Sequence, residues 1–302
     1  MADHVLSLSY GKDSLACLGA IEQLGLPLDR IVHAEVWATD TIPADLPPMV
    51  EFKKKADAII KERWGIEVEH IYAVRNGEKL TYEKLFYHIP NRKNGGNFTE
   101  GSPAGFPYTK GAWCNDRLKT NALDYIVHGI DGFQRHGAGC GATSMLKRAA
   151  ALHIKSDTTI VQYLGIASDE PERIERHMKK PNVILPLVEH GMSEAMCRKW
   201  CEKNDLLSPI YTQSARGGCW FCHNQGVGQL RLLRQNYPDL WALLMKWDLD
   251  SPVTFKADGH TVHDFDRRFQ LEDEGVIPTD KAFRWDWLER PPGVQMIMEG
   301  FT

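Results

Sequence analysis

Apolar runs alternate with amphipathic segments over the first two thirds of the chain. The apolar runs predict five strands, at residues 4–9, 30–38, 66–74, 158–167 and 183–187. The amphipathic segments predict helices at residues 15–24, 49–64, 110–128, 145–153 and 193–204. Strands separated by helices form parallel sheets with right-handed crossovers. We therefore predict an α/β fold with a five-stranded parallel sheet and flanking helices.

The pattern loses its strands from Pro209 onward, where helices are predicted at residues 227–234, 238–247 and 281–288. A length of 302 residues is typical of about two domains. We place the boundary near Glu189, with residues 1–189 as the α/β domain and residues 190–302 as a small helical domain. The segment 88–113 is rich in turn-forming residues, and we interpret it as a lid.

The turn after the first predicted strand carries the residues Ser9, Tyr10, Gly11, Lys12, Asp13 and Ser14. A strand, a small polar turn and a helix start together point backbone N–H groups and a helix dipole at an anion. A Walker A loop is excluded, because Leu6 stands where it needs glycine and Asp13 where it needs serine or threonine. The alternative is an ordinary strand–helix turn capped by Asp13 or Ser14. We refer to this segment as the 9–14 loop.

Polar clusters also follow two other predicted strands. Residues 39–41 come after the second strand, and residues 168–173 come after the fourth. The carboxyl ends of parallel strands meet at one edge of a sheet, which is where such sheets bind ligands. We expect the two clusters and the 9–14 loop to face the same ligand.

The chain has seven cysteines, an odd number that favours thiols, a metal site or catalysis over a disulfide framework. Four of them have the spacing C-x3-C-x17-C-x2-C and are Cys197, Cys201, Cys219 and Cys222. Four thiolates can complete a tetrahedral shell around zinc or hold an iron–sulfur cluster, and the spacing does not choose between them. Cys114 is a substitute ligand and His223 an alternative one. Cys197 and Cys201 also fit the role of small buried hydrophobic residues.

The composition is that of a soluble globular protein, with 43% hydrophobic and 25% charged residues. The formal net charge of −4 argues against a protein that coats nucleic acids in general. The sequence has no apolar run of the roughly 18 residues that a membrane span needs, and no signal-peptide pattern. We expect a cytoplasmic location and no membrane partner.

Four stretches, in this order, resemble one protein family. Residues 9–14 resemble the pyrophosphate loop of the PP-loop ATP pyrophosphatases. Trp113, Cys114 and Lys119 resemble the "WC…LK" segment of the phosphoadenosine phosphosulfate (PAPS) reductase branch, and residues 165–173 resemble its "GI…DE…R" segment. Residues 185–188 and 218–222 resemble its carboxyl-terminal segment. The similarity covers residues 4–270 and is closest to uncharacterised PAPS-reductase-like proteins of bacteria and phages.

The resemblance implies an adenine nucleotide alpha hydrolase-like sheet. It implies that the 9–14 loop binds the pyrophosphate of ATP or the phosphosulfate of PAPS. It further implies these side-chain roles: Asp40 near the ribose or substrate, Arg117, Lys119 and Arg173 as anion clamps, and Asp169 and Glu170 as ligands of Mg²⁺. Together with Lys12 and Asp13, the three clamp residues are the predicted catalytic set. The alternatives are a solvated helix face for Arg117 and Lys119, and an ordinary helix start for residues 169–171.

The sequence departs from the family pattern in two places. PAPS reductases carry a catalytic cysteine close to the carboxyl terminus, whereas the last cysteine here is Cys222. Relatives that reduce adenosine phosphosulfate (APS) carry adjacent cysteines, whereas Cys114 is followed by Asn115. The first departure counts against reductase chemistry, and the second means that the cluster ligands of those relatives are not reproduced.

Three functions are compatible with these features. The first is an enzyme that cleaves ATP between its α and β phosphates and couples adenylation to sulfur transfer. The second is reduction or transfer of sulfate from PAPS or APS. The third is a non-enzymatic nucleotide-binding protein with a structural zinc. The expected partners are an adenine nucleotide, a sulfur-donor protein or small thiol, a nucleic-acid or nucleobase acceptor, and a second copy of the chain in a homodimer.

Overall fold

The computed structural model describes residues 3–75, 77–90, 101–107, 112–120, 122–123, 160–180, 182–212, 217–279 and 283–289. The chain divides into two compact units. The first consists of Met1–His88 and Lys110–Phe221, and the second of Ile89–Thr109 and Cys222–Thr302. This division lies further along the chain than the boundary that we place near Glu189.

The first unit is built on a five-stranded, all-parallel sheet, which confirms the predicted α/β class. The strands of the described chain are β1 (Asp3–Ser7), β2 (Arg30–Glu35), β3 (Val68–Tyr72), β4 (Val74–Arg75), β5 (Glu78–Lys79), β6 (Ile160–Tyr163) and β7 (Val183–Ile184). The sheet order is β3-β2-β1-β6-β7, while β4 and β5 form a separate antiparallel pair. All five strands predicted for the sheet are present, each shorter than its apolar run.

The direction of winding reverses at β1. From β1 the chain moves outward to β2 and β3 on one side, and later returns to place β6 and β7 on the other. Strands β1 and β6 are hydrogen-bonded neighbours, with Leu6 opposite Tyr163. The loops after these two strands leave the same sheet edge in different directions, which opens a crevice between them.

Helices cover the sheet of the first unit. They are α1 (Lys12–Leu24), α2 (Pro47–Trp64), α3 (Tyr82–Phe86), α4 (Trp113–Asn115), α5 (Pro171–Met178), α6 (Pro186–Glu189) and α7 (Glu194–Lys203). Leu15, Leu18 and Ile21 of α1 are at most 2% exposed and belong to the main core. Burying a side chain of this kind contributes about 1.5–3 kcal/mol, so packing holds the start of α1, and with it the 9–14 loop, against the sheet.

Helix α7 packs directly on α1. A Cβ atom at Gly19 would lie 2.4 Å from the Trp200 ring, so only glycine allows this approach. On the same face of α7, Cys197 and Cys201 are fully buried, and the Cys201 thiol donates a hydrogen bond to Lys12 O at 3.1 Å. These contacts join α7 to the first unit, although it follows Glu189 in the sequence.

The second unit is helical in its described part. Its helices are α8 (Val227–Asn236), α9 (Pro238–Asp250) and α10 (Val262–Asp273), followed by a short 3-10 helix (Trp285–Leu288). Helices α8 and α9 match the predicted pattern, whereas α10 is an additional element. The Glu272 carboxylate is buried and accepts hydrogen bonds from both Arg231 and Arg268, which ties α8 to α10. Trp247 of α9 is fully buried in the core of this unit.

Several predicted segments lie outside the described residues. These are the helix at 145–153, most of the lid segment, and the predicted helix 110–128 except residues 112–120 and 122–123. The described part of that helix is the short α4, which continues as a π-helix over Asp116–Thr120. No helix in the described part of the chain has the length and apolarity to cross a bilayer.

Candidate functional site

A cavity of about 760 Å³ opens in the first unit at the carboxyl ends of β1 and β6. All six residues of the 9–14 loop line it. Lys119 from the π-helix, and Glu170 and Arg173 from the start of α5, line it as well. The volume lies in the range of small-molecule and cofactor sites. The structure therefore brings together most of the residues that the motifs single out.

Hydrogen bonds between two serines and a glycine hold the 9–14 loop in shape. The Ser14 hydroxyl donates to Gly11 O at 3.0 Å and accepts from the Ser9 N–H at 3.1 Å. The Ser14 hydroxyl proton is used in the bond to Gly11 O. In the 2.9 Å contact between the two hydroxyls, the Ser9 hydroxyl is therefore the donor and the Ser14 oxygen the acceptor. Gly11 is the N-cap of α1 and has no side chain to cap the helix, but the Tyr211 hydroxyl accepts from the Lys12 N–H at 3.2 Å. The N-terminus of α1 therefore faces the cavity with its first N–H group already bonded.

Lys12 is held by two carboxylates. Its ammonium donates to Asp13 at 2.7 Å and to Glu194 at 2.9 Å. Burial lowers the pKa of Lys12, but these two hydrogen bonds outweigh burial and raise it above the ordinary lysine value, so Lys12 stays charged. Burial also raises the pKa of Asp13, against the opposing effect of Lys12. An incoming anion would compete with Asp13 and Glu194 for the Lys12 ammonium.

A second cation at the cavity comes from the start of α5. Arg173 donates to both oxygens of Glu170, at 2.6 and 2.8 Å. Glu170 is itself fixed, because it accepts from the Ala167 N–H at 3.2 Å. The guanidinium is exposed apart from this contact and has further N–H groups to offer to an anion.

Tyr10 has a role that the sequence analysis misses. Its φ of 56° is in the left-handed region, which is unusual for a bulky residue, and its ring is fully buried. The Tyr10 hydroxyl donates to the Asp57 carboxylate and lies 3.1 Å from His70 Nε2. These buried contacts offset the backbone strain and hold the middle of the 9–14 loop.

The polar cluster beneath Tyr10 extends through two histidines and a lysine. His33 Nδ1 lies 2.8 Å from Leu8 O, so it carries the proton and donates, and Nε2 accepts from the Lys53 ammonium at 2.7 Å. Burial, followed by the charge of Lys53, lowers the pKa of His33 well below the ordinary histidine value. Hydrogen bonds to Asp57 and Glu35 raise the pKa of His70 to about 9. His33 is therefore neutral and His70 positively charged at neutral pH.

Part of the remaining cavity lining is apolar and includes Leu8, Val36, Ala44 and Met49, beside polar side chains. Ala44 O accepts a hydrogen bond from the backbone N–H of the buried Trp220 at 2.9 Å. This bond helps to hold the neighbouring Cys219, which also lines the cavity.

Three residues expected at the ligand do not line the cavity. The carboxylate of Asp40 is exposed and accepts from the Lys84 ammonium at 2.8 Å. Asp169 accepts from the Glu194 N–H at 3.0 Å and so stabilises the start of α7. Arg117 lies in the same π-helix as the cavity-lining Lys119. It is half-buried, and burial lowers its pKa. The structure does not bring these three side chains to the cavity, and their roles at a ligand stay predictions.

The cysteines do not assemble as the spacing predicts. Among the described residues, the only group of three or more ligating side chains with atoms within 4.8 Å of one another contains no cysteine. Cys197 and Cys201 lie in the hydrophobic core, where burial raises the pKa of each thiol to about 12, while Cys219 lines the cavity. Cys222 belongs to the second unit and Cys114 does not line the cavity. Cys197 and Cys201 are four residues apart because both lie on the face of α7 that packs on α1. The same spacing is typical of a pair of metal ligands on a helix.

Comparisons with known proteins give no family assignment. No family model matches the chain, and neither the curated proteins nor the solved structures contain a significant match. The resemblance to the PP-loop ATP pyrophosphatases therefore stays a prediction that rests on motif residues.

Proposed function

We propose that the first unit binds an adenine nucleotide and cleaves it between the α and β phosphates, with the adenylate formed serving a sulfur transfer. The observation that carries this proposal is the shared lining of one cavity by the 9–14 loop, Lys119 and Arg173. The motif resemblance supports the same function, because it assigns these residues to pyrophosphate and to phosphate charge.

The charged part of the cavity suits a polyphosphate. The N-terminus of α1 offers backbone N–H groups and the positive end of a helix dipole. Lys12, Lys119 and Arg173 add three cationic side chains from separate elements. Cations fixed before the substrate arrives stabilise charge that develops during phosphoryl transfer.

The apolar part suits a purine ring. Leu8, Val36 and Met49 line the same cavity as the charged residues. Nucleotide sites combine an apolar surface for the base with a small number of placed polar groups for the phosphates. Of the two predicted magnesium ligands, Glu170 lines the cavity and Asp169 does not, so Glu170 is the better candidate for a Mg²⁺ ion that accompanies the phosphates.

The proposed reaction has two steps. An acceptor oxygen attacks the α-phosphorus, the bond from that phosphorus to the bridging oxygen breaks, and pyrophosphate leaves with the electron pair. A sulfur or nitrogen nucleophile then attacks the activated acceptor and releases AMP. The protein supplies positioning and charge stabilisation in both steps.

Product analysis with ATP labelled separately on the α and γ phosphates tests the reaction. The purified full-length chain is incubated with labelled ATP, Mg²⁺, sulfide and each acceptor class in turn: nucleobases, DNA and small metabolites. We expect labelled AMP and labelled pyrophosphate, and loss of both in Lys12→Gln but not in Lys179→Gln, whose exposed lysine pairs with Glu175. Formation of ADP and inorganic phosphate would contradict the proposal. Nucleotide binding without turnover would favour a non-enzymatic nucleotide-binding protein.

A second candidate function is reduction of a phosphosulfate. The observation that favours it is the presence of Cys219 in the lining of the same cavity. This function predicts release of sulfite and the adenosine bisphosphate from PAPS when a small thiol serves as the electron donor, and loss of sulfite release in Cys219→Ser. Cleavage of ATP between the α and β phosphates without any sulfite from PAPS would exclude it.

A further inference from the structure

We propose that His33, Glu35 and His70 form a binding site for one divalent transition-metal ion, of the class that includes zinc. One ligating atom from each residue lies within 4.8 Å of those of the other two. The inference uses no nucleotide chemistry and does not depend on the proposed function.

Strand geometry places the three side chains together. His33 and Glu35 are two residues apart on β2, so they project from the same face of the sheet. His70 on β3 is the register partner of His33. Directly paired residues on neighbouring strands have Cβ atoms about 4.5–5.5 Å apart, which is close enough for their rings to share one ion.

The second nitrogen of each histidine is already fixed by an acceptor. His33 Nδ1 donates to Leu8 O at 2.8 Å, which leaves the Nε2 lone pair for a metal. His70 Nε2 lies 2.9 Å from the Asp57 carboxylate, and Nδ1 lies 3.0 Å from Glu35, so an ion that displaces the Nδ1 proton can take the Nδ1 lone pair. Metal-binding histidines usually donate their other ring N–H to a carboxylate or a backbone carbonyl in this way.

The charges around the cluster favour a further cation. Three carboxylates, those of Glu35, Asp45 and Asp57, face two basic side chains, Lys53 and His70. One side of the cluster is shielded from solvent, since His33 is 7% and Lys53 is 6% exposed, whereas Glu35 is half-buried and His70 is exposed. Coulomb attraction between the carboxylates and an ion is stronger at such a site than on the surface.

Lys53 competes with the ion for one ligand. Its ammonium donates to His33 Nε2 at 2.7 Å and lies 2.6 Å from Asp45. An ion that takes the Nε2 lone pair leaves Lys53 paired with Asp45. Removing the ammonium should therefore strengthen metal binding, whereas a cluster that serves only as a hydrogen-bond network would bind no metal with or without Lys53.

The donor set identifies the class of metal. Two imidazole nitrogens and one carboxylate are the protein ligands of many zinc sites, and of non-haem iron sites with open positions. Magnesium and calcium prefer oxygen donors. His33 also lines the cavity, so an ion bound here would lie at the cavity wall.

Cobalt titration of the chelator-treated, full-length protein tests the site, because Co²⁺ replaces zinc and has visible d–d absorption. We expect saturation at one Co²⁺ per chain, and at least a 100-fold loss of affinity in His33→Ala and in His70→Ala. His190→Ala, which changes an exposed histidine outside the cluster, should bind as the wild type does. No stoichiometric binding, or binding that either cluster variant retains, would overturn the three-ligand site.

Three further measurements keep the result interpretable if an alanine variant fails to fold. Lys53→Met should bind Co²⁺ about tenfold more tightly, and Asp57→Asn should bind about 10- to 100-fold more weakly, as expected when the partner of a ligand is changed. Zinc should raise the melting temperature of the wild type and leave that of the isosteric Glu35→Gln unchanged. A wild-type melting temperature that zinc does not raise would also overturn the proposal.

Discussion

Gly165 lies directly against the backbone of Ser14. A Cβ atom at position 165 would come within 2.6 Å of Ser14 Cα and 2.8 Å of Asp13 O, so no side chain fits between the two segments. The chain that leaves β6 therefore touches the start of α1. This contact sets the position of the Glu170–Arg173 pair relative to the 9–14 loop.

Gly165→Ala should displace the 9–14 loop, because a backbone neighbour cannot move aside as a flexible side chain does. We expect the free energy of unfolding to fall by about 1–3 kcal/mol, the usual effect of overpacking. Pyrophosphate affinity, measured by calorimetric titration, should fall as well. Gly228→Ala is the matched control, because nothing lies within 4 Å of its Cβ position; wild-type-like pyrophosphate binding by Gly165→Ala would contradict the account.

Changes at Lys12 and Glu194 should move pyrophosphate affinity in opposite directions. Lys12→Gln should weaken binding about 10- to 100-fold, because a hydrogen bond to a charged group contributes about 1.5–3 kcal/mol. Glu194→Gln should strengthen binding a few-fold, because it removes one of the two carboxylates that hold the Lys12 ammonium. Calorimetric titration measures both effects, and equal weakening in the two variants would show that Glu194 supports the site instead of competing with the ligand.

Arg173 and Arg176 provide a matched pair on helix α5. Arg173 lines the cavity, whereas Arg176 is exposed and donates to Glu172 O at 3.1 Å. Arg173→Gln should weaken ATP binding about tenfold, and Arg176→Gln should leave it unchanged. The same loss in both variants would indicate a general effect of positive charge on α5 and not a specific clamp.

The five strands of the sheet could be predicted because buried parallel strands are continuous apolar runs. The position of the 9–14 loop could also be predicted, because its strand, turn and helix follow one another directly in the sequence. The Tyr10 contacts were missed because Asp57 and His70 are 47 and 60 residues away, and no local pattern marks them. Asp40 follows a predicted strand, but that position alone does not show where its side chain lies. The Lys84 ammonium holds the Asp40 carboxylate at the surface.

The thiols of Cys197 and Cys201 should react slowly with iodoacetamide. Burial raises the pKa of both to about 12, so at pH 8 only about one thiol in ten thousand is a thiolate. Mass spectrometry of the native protein should show alkylation of the partly exposed Cys219 and Cys222 first, with the two core thiols reacting as pH rises. A four-cysteine metal site would instead protect all four thiols until a chelator is added.

The Arg30–Glu69 pair should make stability depend on pH. Arg30 donates to both Glu69 oxygens, at 2.6 and 2.7 Å, and these hydrogen bonds lower the pKa of Glu69 below its ordinary value. The pair therefore stabilises the fold above the unfolded-state pKa, and this contribution is lost as pH falls through the lower folded-state pKa. Because Glu69 is 40% exposed, Glu69→Gln should cost only about 0.5–1 kcal/mol at pH 7.

Urea denaturation of wild type and Glu69→Gln across the acidic range measures this difference, which should vanish at low pH. Glu67→Gln is the control, because Glu67 is exposed and pairs with the exposed Lys61. A difference for Glu69→Gln that stays constant from neutral to acidic pH would show that its origin is packing and not the charge of the pair.

A crystal structure with α,β-methylene ATP tests the central claim most directly, because this analogue binds as ATP does but resists cleavage between the α and β phosphates. We predict phosphate oxygens at the N-terminus of α1, with Lys12 released from Glu194, and Arg173 in contact with the ligand. We further predict the adenine ring against the apolar lining near Val36 and Met49. A nucleotide bound elsewhere, or a 9–14 loop without phosphate at a saturating concentration of the analogue, would contradict the account.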